Sequence, residues 1–139
     1  MEKNKKIAVD FDGVISNYQG WGSGKIDTEP VKGVYEGLKK LKSLGYIIMI
    51  YTTRTNQMYK KVGEPEQLPQ VEAYLIKHGL IYDEIWTGPG KPMFHCCIDD
   101  RNISFNGDWV QTIKDVESFN VWNRPKDTKS SSEVWIEGQ

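Results

Sequence analysis

The chain has little with which to build a disulfide, a zinc cage or a membrane anchor. Only two cysteines occur in 139 residues, and Cys96 and Cys97 are adjacent, too close for a conventional structural bridge. A reducing, cytoplasmic setting is the expectation. Histidine is equally scarce, at two residues. His95-Cys96-Cys97 lacks zinc-ligand spacing, so packing in an apolar strand is expected there. No apolar run approaches transmembrane length, and the charged first residues lead straight into a strand, so neither a membrane partner nor a signal peptide is expected. Excess charge is missing too. Eighteen Lys and Arg against 19 Asp and Glu leave a net charge of −1. That balance supplies no general drive toward nucleic acid, although it does not exclude a local basic groove. Gly90-Lys91 is not a P-loop, because no glycine sits five residues before Gly90 and Pro92 replaces the Ser/Thr.

What remains is an ordinary globular composition, 38% hydrophobic and 27% charged, long enough to bury a real core in one domain. Apolar runs at 6–11, 46–51, 83–87 and 94–98 read as strands, with a weaker fifth at 118–122. The second is apolar nearly throughout, as a strand buried on both faces of a parallel sheet must be. Helical spacing joins Val31, Val34, Leu38, Leu41 and Leu44 after Pro30, and Gly45 follows as a C-terminal stop. A second helix carries Leu68, Val71, Leu75 and His78 before Gly79, and a third starts near Asp108 with Val110, Ile113 and Val116 facing inward. This alternation predicts an α/β fold: one Rossmann-like, doubly wound parallel sheet of about five strands flanked by helices, with no cap domain. The expected core spans 1–123, and 124–139 is a C-terminal tail, loosely held or docked.

The most informative stretch is Ile7-Ala8-Val9-Asp10-Phe11-Asp12-Gly13-Val14. Strand side chains alternate, so Asp10 and Asp12 can point the same way where the strand ends. Carboxylates held that close repel unless a cation or a shared proton compensates. In parallel α/β sheets the functional crevice lies beyond the carboxyl ends of the strands. The second strand ends in Thr52-Thr53-Arg54, Lys91 follows the third, and Asp99-Asp100-Arg101 ends the fourth. Four carboxylates, a hydroxyl and a lysine on one rim form a coherent set for phosphoryl transfer. The carboxylates suit a hard divalent cation such as Mg²⁺. One is left to attack phosphorus, and the hydroxyl and ammonium are suited to the equatorial oxygens.

On these residues the chain resembles the haloacid dehalogenase-like phosphohydrolases. Asp10-Phe11-Asp12-Gly13-Val14 matches their first motif, Thr52 the second, Lys91 the third and Asp99-Asp100 the fourth. Ile98-Asp99-Asp100-Arg101 with Phe105-Asn106-Gly107 looks like the small members of that superfamily, often phage- or bacterium-encoded. The resemblance implies Asp10 as nucleophile and Asp12 as general acid/base. It implies Thr52 and Lys91 as phosphate-binding groups, with Thr53 as an alternative to Thr52. It implies Mg²⁺ held by Asp10, the Asp12 carbonyl and Asp99, with Asp100 assisting; which of Asp99 and Asp100 touches the metal stays open. Dehalogenase members lack the second aspartate, so Asp12 favours phosphate chemistry.

Neither 16–29 nor 55–69 is long enough for a cap domain. An open site of this kind suits a phosphorylated substrate, bulky ones included: a sugar phosphate, a nucleotide or nucleic-acid end, or a phosphoprotein. Tyr18 and Trp21, among Gly20, Gly22 and Gly24, read equally as a mobile flap or as a glycine-rich hairpin packed on the sheet. Arg54 is a candidate for substrate contact or for pairing with an acid, and Tyr59, Lys60 and Lys61 for the rim. Trp122 and Trp135 offer apolar surface for a homo-oligomer or for burial within the chain. Competing readings are a phospho-accepting signalling domain, which places its acceptor on a middle strand, and a non-catalytic binding module on the same fold.

Overall fold

The apolar segments pair as a parallel α/β sheet. The structure, a computed structural model, describes residues 5–57 and 65–123. The tail 124–139, with Trp135, and the rim candidates Tyr59, Lys60 and Lys61 lie outside the described residues. In chain order the elements are β1 (Lys6–Val9), α1 (Val34–Ser43), β2 (Ile47–Ile50), α2 (Gln67–Lys77), β3 (Glu84–Ile85), β4 (Cys96–Ile98) and α3 (Trp109–Ser118). The four strands lie in the order β3-β2-β1-β4, every pair parallel. Val9 is paired with Ile50 on one side and with Ile98 on the other. The chain divides into two compact units between Asp99 and Asp100.

In the first unit, Ile7, Ala8 and Val9 on β1 and Ile48, Met49 and Ile50 on β2 are all buried. Consecutive side chains point to opposite faces, so burial of each means that both faces are covered. Leu38 of α1 and Val71, Tyr74 and Leu75 of α2 join this core with Phe11, Ile15 and Leu80. Each fully buried aliphatic or aromatic side chain contributes about 1.5–3 kcal/mol by leaving water. Both expected glycine stops form. Gly45 (φ 94°) lets the Tyr46 N–H reach the Leu41 carbonyl at 3.3 Å, and Gly79 (φ 65°) lets the Leu80 N–H reach Leu75 at 2.9 Å. That geometry favours a residue without Cβ.

α1 begins later than Pro30 suggested. Pro30 bridges Ser16 and the Val31 N–H donates to the Ile15 carbonyl at 2.8 Å, so this stretch is held against the segment leaving β1. The helix then starts at Val34, behind Gly33 in the left-handed region.

β3 is short, and the residue before it secures the edge. The Asp83 N–H donates to the Ile48 carbonyl at 2.9 Å, and its carboxylate accepts from the Ile48 N–H at 2.7 Å and from Lys42 Nζ at 2.5 Å.

In the second unit, Asp108 caps α3 by accepting from the Gln111 N–H at 3.2 Å. The expected fifth strand at 118–122 does not form: Ser118 completes the last turn of α3, and its Oγ donates to the Lys114 carbonyl at 3.0 Å. Too few apolar residues then remain to extend a ladder. Val110, Ile113 and Val116, expected to face inward, are exposed. Among the described residues no inserted cap domain occurs, and no helix is long and apolar enough to cross a membrane.

Burial works to raise the Asp83 pKa, but the Ile48 N–H and Lys42 outweigh it and hold the carboxyl below its ordinary value of 3.8. A depressed folded-state pKa stabilises the fold above the unfolded value, and that contribution is lost as pH falls through the folded one. Asp83→Ala is therefore expected to lower the unfolding free energy by about 1–3 kcal/mol at neutral pH. The gap to the parent chain should narrow below pH 3.8. Urea unfolding of both proteins at neutral and acid pH checks this.

Candidate active site

β1 is the strand on which the site is built. The chain leaves β1 toward β2 and β3 on one side, and β4 returns to the other side of β1. Where strand order reverses, the crossovers part and leave a crevice at the carboxyl ends of the two strands. Asp10 follows β1 and Asp99 follows β4, so the register of Val9 with Ile98 brings them to the same level at that crevice. The Asp10 N–H donates to the Ile98 carbonyl at 2.9 Å and carries the ladder one residue further.

Phe11 holds the turn that follows. Its ring is fully buried and meets Tyr74 edge-on at 5.2 Å. Its carbonyl accepts the Ile15 and Ser16 N–H groups at 2.9 and 3.0 Å. With Phe11 turned inward, Asp10 and Asp12 on either side of it are half-buried rather than buried, as strand alternation requires.

The carboxylates do not all gather at one point. Oxygens of Asp10, Asp99 and Asp100, the last bonded directly to Asp99, lie within 4.8 Å of one another. An oxygen-only donor set of three acids fits a hard divalent cation. The Asp12 side chain goes elsewhere: Arg54 Nε donates to both its oxygens, at 2.9 and 2.8 Å.

Two loops supply the remaining candidates. The ladder continues past β2 as the Tyr51 N–H donates to the Val9 carbonyl at 2.9 Å. Thr52 is then buried, its Oγ1 accepting the Arg54 N–H at 3.3 Å, whereas Thr53 is exposed. After β3, Thr55 Oγ1 donates to the Trp86 carbonyl at 2.7 Å. Asn56 Nδ2 and Trp86 Nε1 both donate to the Gly90 carbonyl, at 3.1 and 3.2 Å. These bonds fasten the loop carrying Lys91 to the turn after β2. Lys91 is exposed, with its Nζ 5.4 Å from the Phe94 ring centre. Sequence reasoning missed Thr55 and Asn56 because they bond to backbone carbonyls 31 and 34 residues along the chain, and Trp86 because its bond to Gly90 leaves no sequence pattern.

Cys97 lies half-buried while Cys96 and His95 are exposed, so the expected packing holds only for the middle of that run. Burial, followed by the Asp99 and Asp10 carboxylates and Cys96, pushes the Cys97 thiol up to about 11 against the pull of Lys91. Burial of this kind favours the thiol over the thiolate.

A parallel sheet with Asp-x-Asp at its switch point, a hydroxyl and a lysine on neighbouring loops and an Asp-Asp pair after β4 defines a class, and the chain belongs to it: the haloacid dehalogenase-like superfamily. Two curated relatives from Helicobacter pylori are D-glycero-β-D-manno-heptose-1,7-bisphosphate 7-phosphatases. The one from strain 26695 is 40% identical over 100 residues, covering 69% of this chain and 58% of the relative. The one from strain J99 is 34% identical over 97 residues, covering 67% and 56%. The chain thus spans less than two thirds of the length of these relatives. A solved structure of a target protein from Vibrio cholerae is 30% identical, with 82% of this chain and 99% of that chain covered at a TM-score of 0.49. No family model matches the chain.

Because binding to the folded state alone stabilises it, saturating Mg²⁺ is expected to raise the melting temperature. The rise corresponds to about 2.7 kcal/mol at a hundred times Kd. Asp99→Asn should abolish most of the rise. Thermal melts with and without the ion check both halves.

Proposed function

We propose that this chain is a Mg²⁺-dependent phosphomonoester hydrolase that acts on a sugar phosphate of the heptose bisphosphate type. The observation that carries the reading is the approach of the Asp10, Asp99 and Asp100 carboxylates to within 4.8 Å at the switch point of the sheet. The activity of the Helicobacter pylori relatives supports the substrate class.

In this reading the Asp10 carboxylate attacks phosphorus, and the bond from phosphorus to the leaving oxygen breaks as an aspartyl-phosphate forms. Asp12 gives its proton to the leaving oxygen. It then takes a proton from the water that attacks the aspartyl-phosphate, which releases inorganic phosphate and restores Asp10. Lys91 and the hydroxyl of Thr52 or Thr53 hold the non-bridging oxygens, where transition-state charge spreads. Asp10, Asp99 and Asp100, with the Asp12 carbonyl, would hold Mg²⁺, whose charge offsets that of the phosphate oxygens. Tyr18, half-buried beside the site, offers aromatic surface to the sugar.

The test is phosphate release from heptose and hexose phosphates, nucleotides and phosphorylated oligonucleotide ends, with Mg²⁺ or EDTA. Turnover of sugar phosphates is expected, lost in EDTA and reduced about 10³-fold or more by Asp10→Asn. Preference for nucleotides or oligonucleotide ends overturns the substrate class. No turnover by folded, Mg²⁺-binding protein favours the non-catalytic binding module.

A further inference from the structure

Arg54 is charged, and its guanidinium is nearly shut away from water, with 3% of the side chain exposed. Two of its three nitrogens have partners inside the protein. Nε grips both oxygens of Asp12, at 2.9 and 2.8 Å, and Nη1 donates to Gln67 Oε1 at 2.6 Å. Gln67, the first residue of α2, passes the connection on: its Nε2 donates to the Gly24 carbonyl at 2.9 Å and to the Pro65 carbonyl at 3.1 Å. The Trp21 ring centre lies 4.7 Å from the Arg54 Cζ, and that of Tyr18 lies 5.8 Å away. Gly24 sits at φ +81°, and a Cβ there would come within 3.0 Å of the Trp21 indole. The glycine-rich segment is therefore closed down onto the guanidinium.

A phosphate-binding arginine presents its planar fork to the crevice. This one instead directs Nε at Asp12, Nη1 at Gln67 and its face at Trp21. We propose that Arg54 is a positioning residue: it holds the Asp12 carboxylate and the 16–29 flap as one element, so that ordering of the flap and placement of Asp12 occur together. The proposal rests on the reading of Asp12 as the proton-transfer group, but the coupling itself is open to test without turnover.

Trypsin cleavage after Lys25, an exposed flap residue, reports flap order in the full chain by mass spectrometry. Arg54→Lys keeps the charge and loses the fork. It is expected to speed that cleavage about fivefold or more, as the loss of roughly one kcal/mol of local order would. It should also lower kcat on a sugar phosphate about 10²-fold through a misplaced Asp12, with KM changed less than about threefold. Asp12→Ala should speed cleavage at Lys25 comparably, although it lies outside the flap. Gln67→Leu, which leaves Asp12 and Arg54 in place, serves if Arg54→Lys does not fold, and it too should loosen the flap. A raised KM with kcat and Lys25 cleavage unchanged in Arg54→Lys overturns the proposal in favour of direct substrate contact. Unchanged cleavage in Asp12→Ala or Gln67→Leu overturns the coupling. Absence of turnover in the parent chain overturns the phosphatase reading, while the cleavage rates still decide the coupling.

Discussion

Two ladders meet on β1, and that shared strand is the constraint on which the rest of the site depends. Val9 is paired at once with Ile50 and Ile98, so three strands end at one level and deliver Asp10, Thr52 and Asp99 to a single rim. The register is protected by burial. Ile7, Ala8, Val9 and Phe11 are all inside, and a slip of one residue would turn Phe11 to water and drive Asp10 or Asp12 into the core. The same apolar contacts that hold the sheet together therefore set the spacing of the carboxylates.

That spacing concentrates acidic groups, with three carboxylates within 4.8 Å of one another. The neighbouring Asp12 is handled differently, with both oxygens matched by one buried guanidinium. Breaking such a pair by removing one partner leaves an uncompensated charge, typically at a cost of 3–5 kcal/mol when fully buried. The partial exposure of Asp12, at 21%, reduces that figure. Asp12 is thus balanced by Arg54 from within the fold, which sets it apart from the three carboxylates that lie close to one another.

Much of the site was legible along the chain, for a local reason. Asp10 and Asp12 end an apolar strand, Asp99 and Asp100 end another, and Gly45 and Gly79 stand where helices must stop. Each of these signals lies within a few residues of the feature it marks. α1 starts later than the helical spacing implies because Pro30 is held by Ser16, fourteen positions back, a pairing that spacing does not reveal. The fifth strand failed for a related reason: apolar residues at 118–122 resemble a strand, but Ser118 is already bonded into the last turn of α3.

By itself, then, the sequence determined the alternation of strands and helices, their glycine stops and the placing of acids at strand ends. Those outcomes follow from the periods of two and 3.6 residues and from backbone freedom, all local properties. Only the tertiary structure decided the order β3-β2-β1-β4, the membership of the carboxylate trio and the inward turn of Arg54. Asp12 and Arg54 are 42 positions apart, and Gln67 and Gly24 are 43 apart. Whether such groups meet depends on how the helices pack on the sheet, and no local pattern records it.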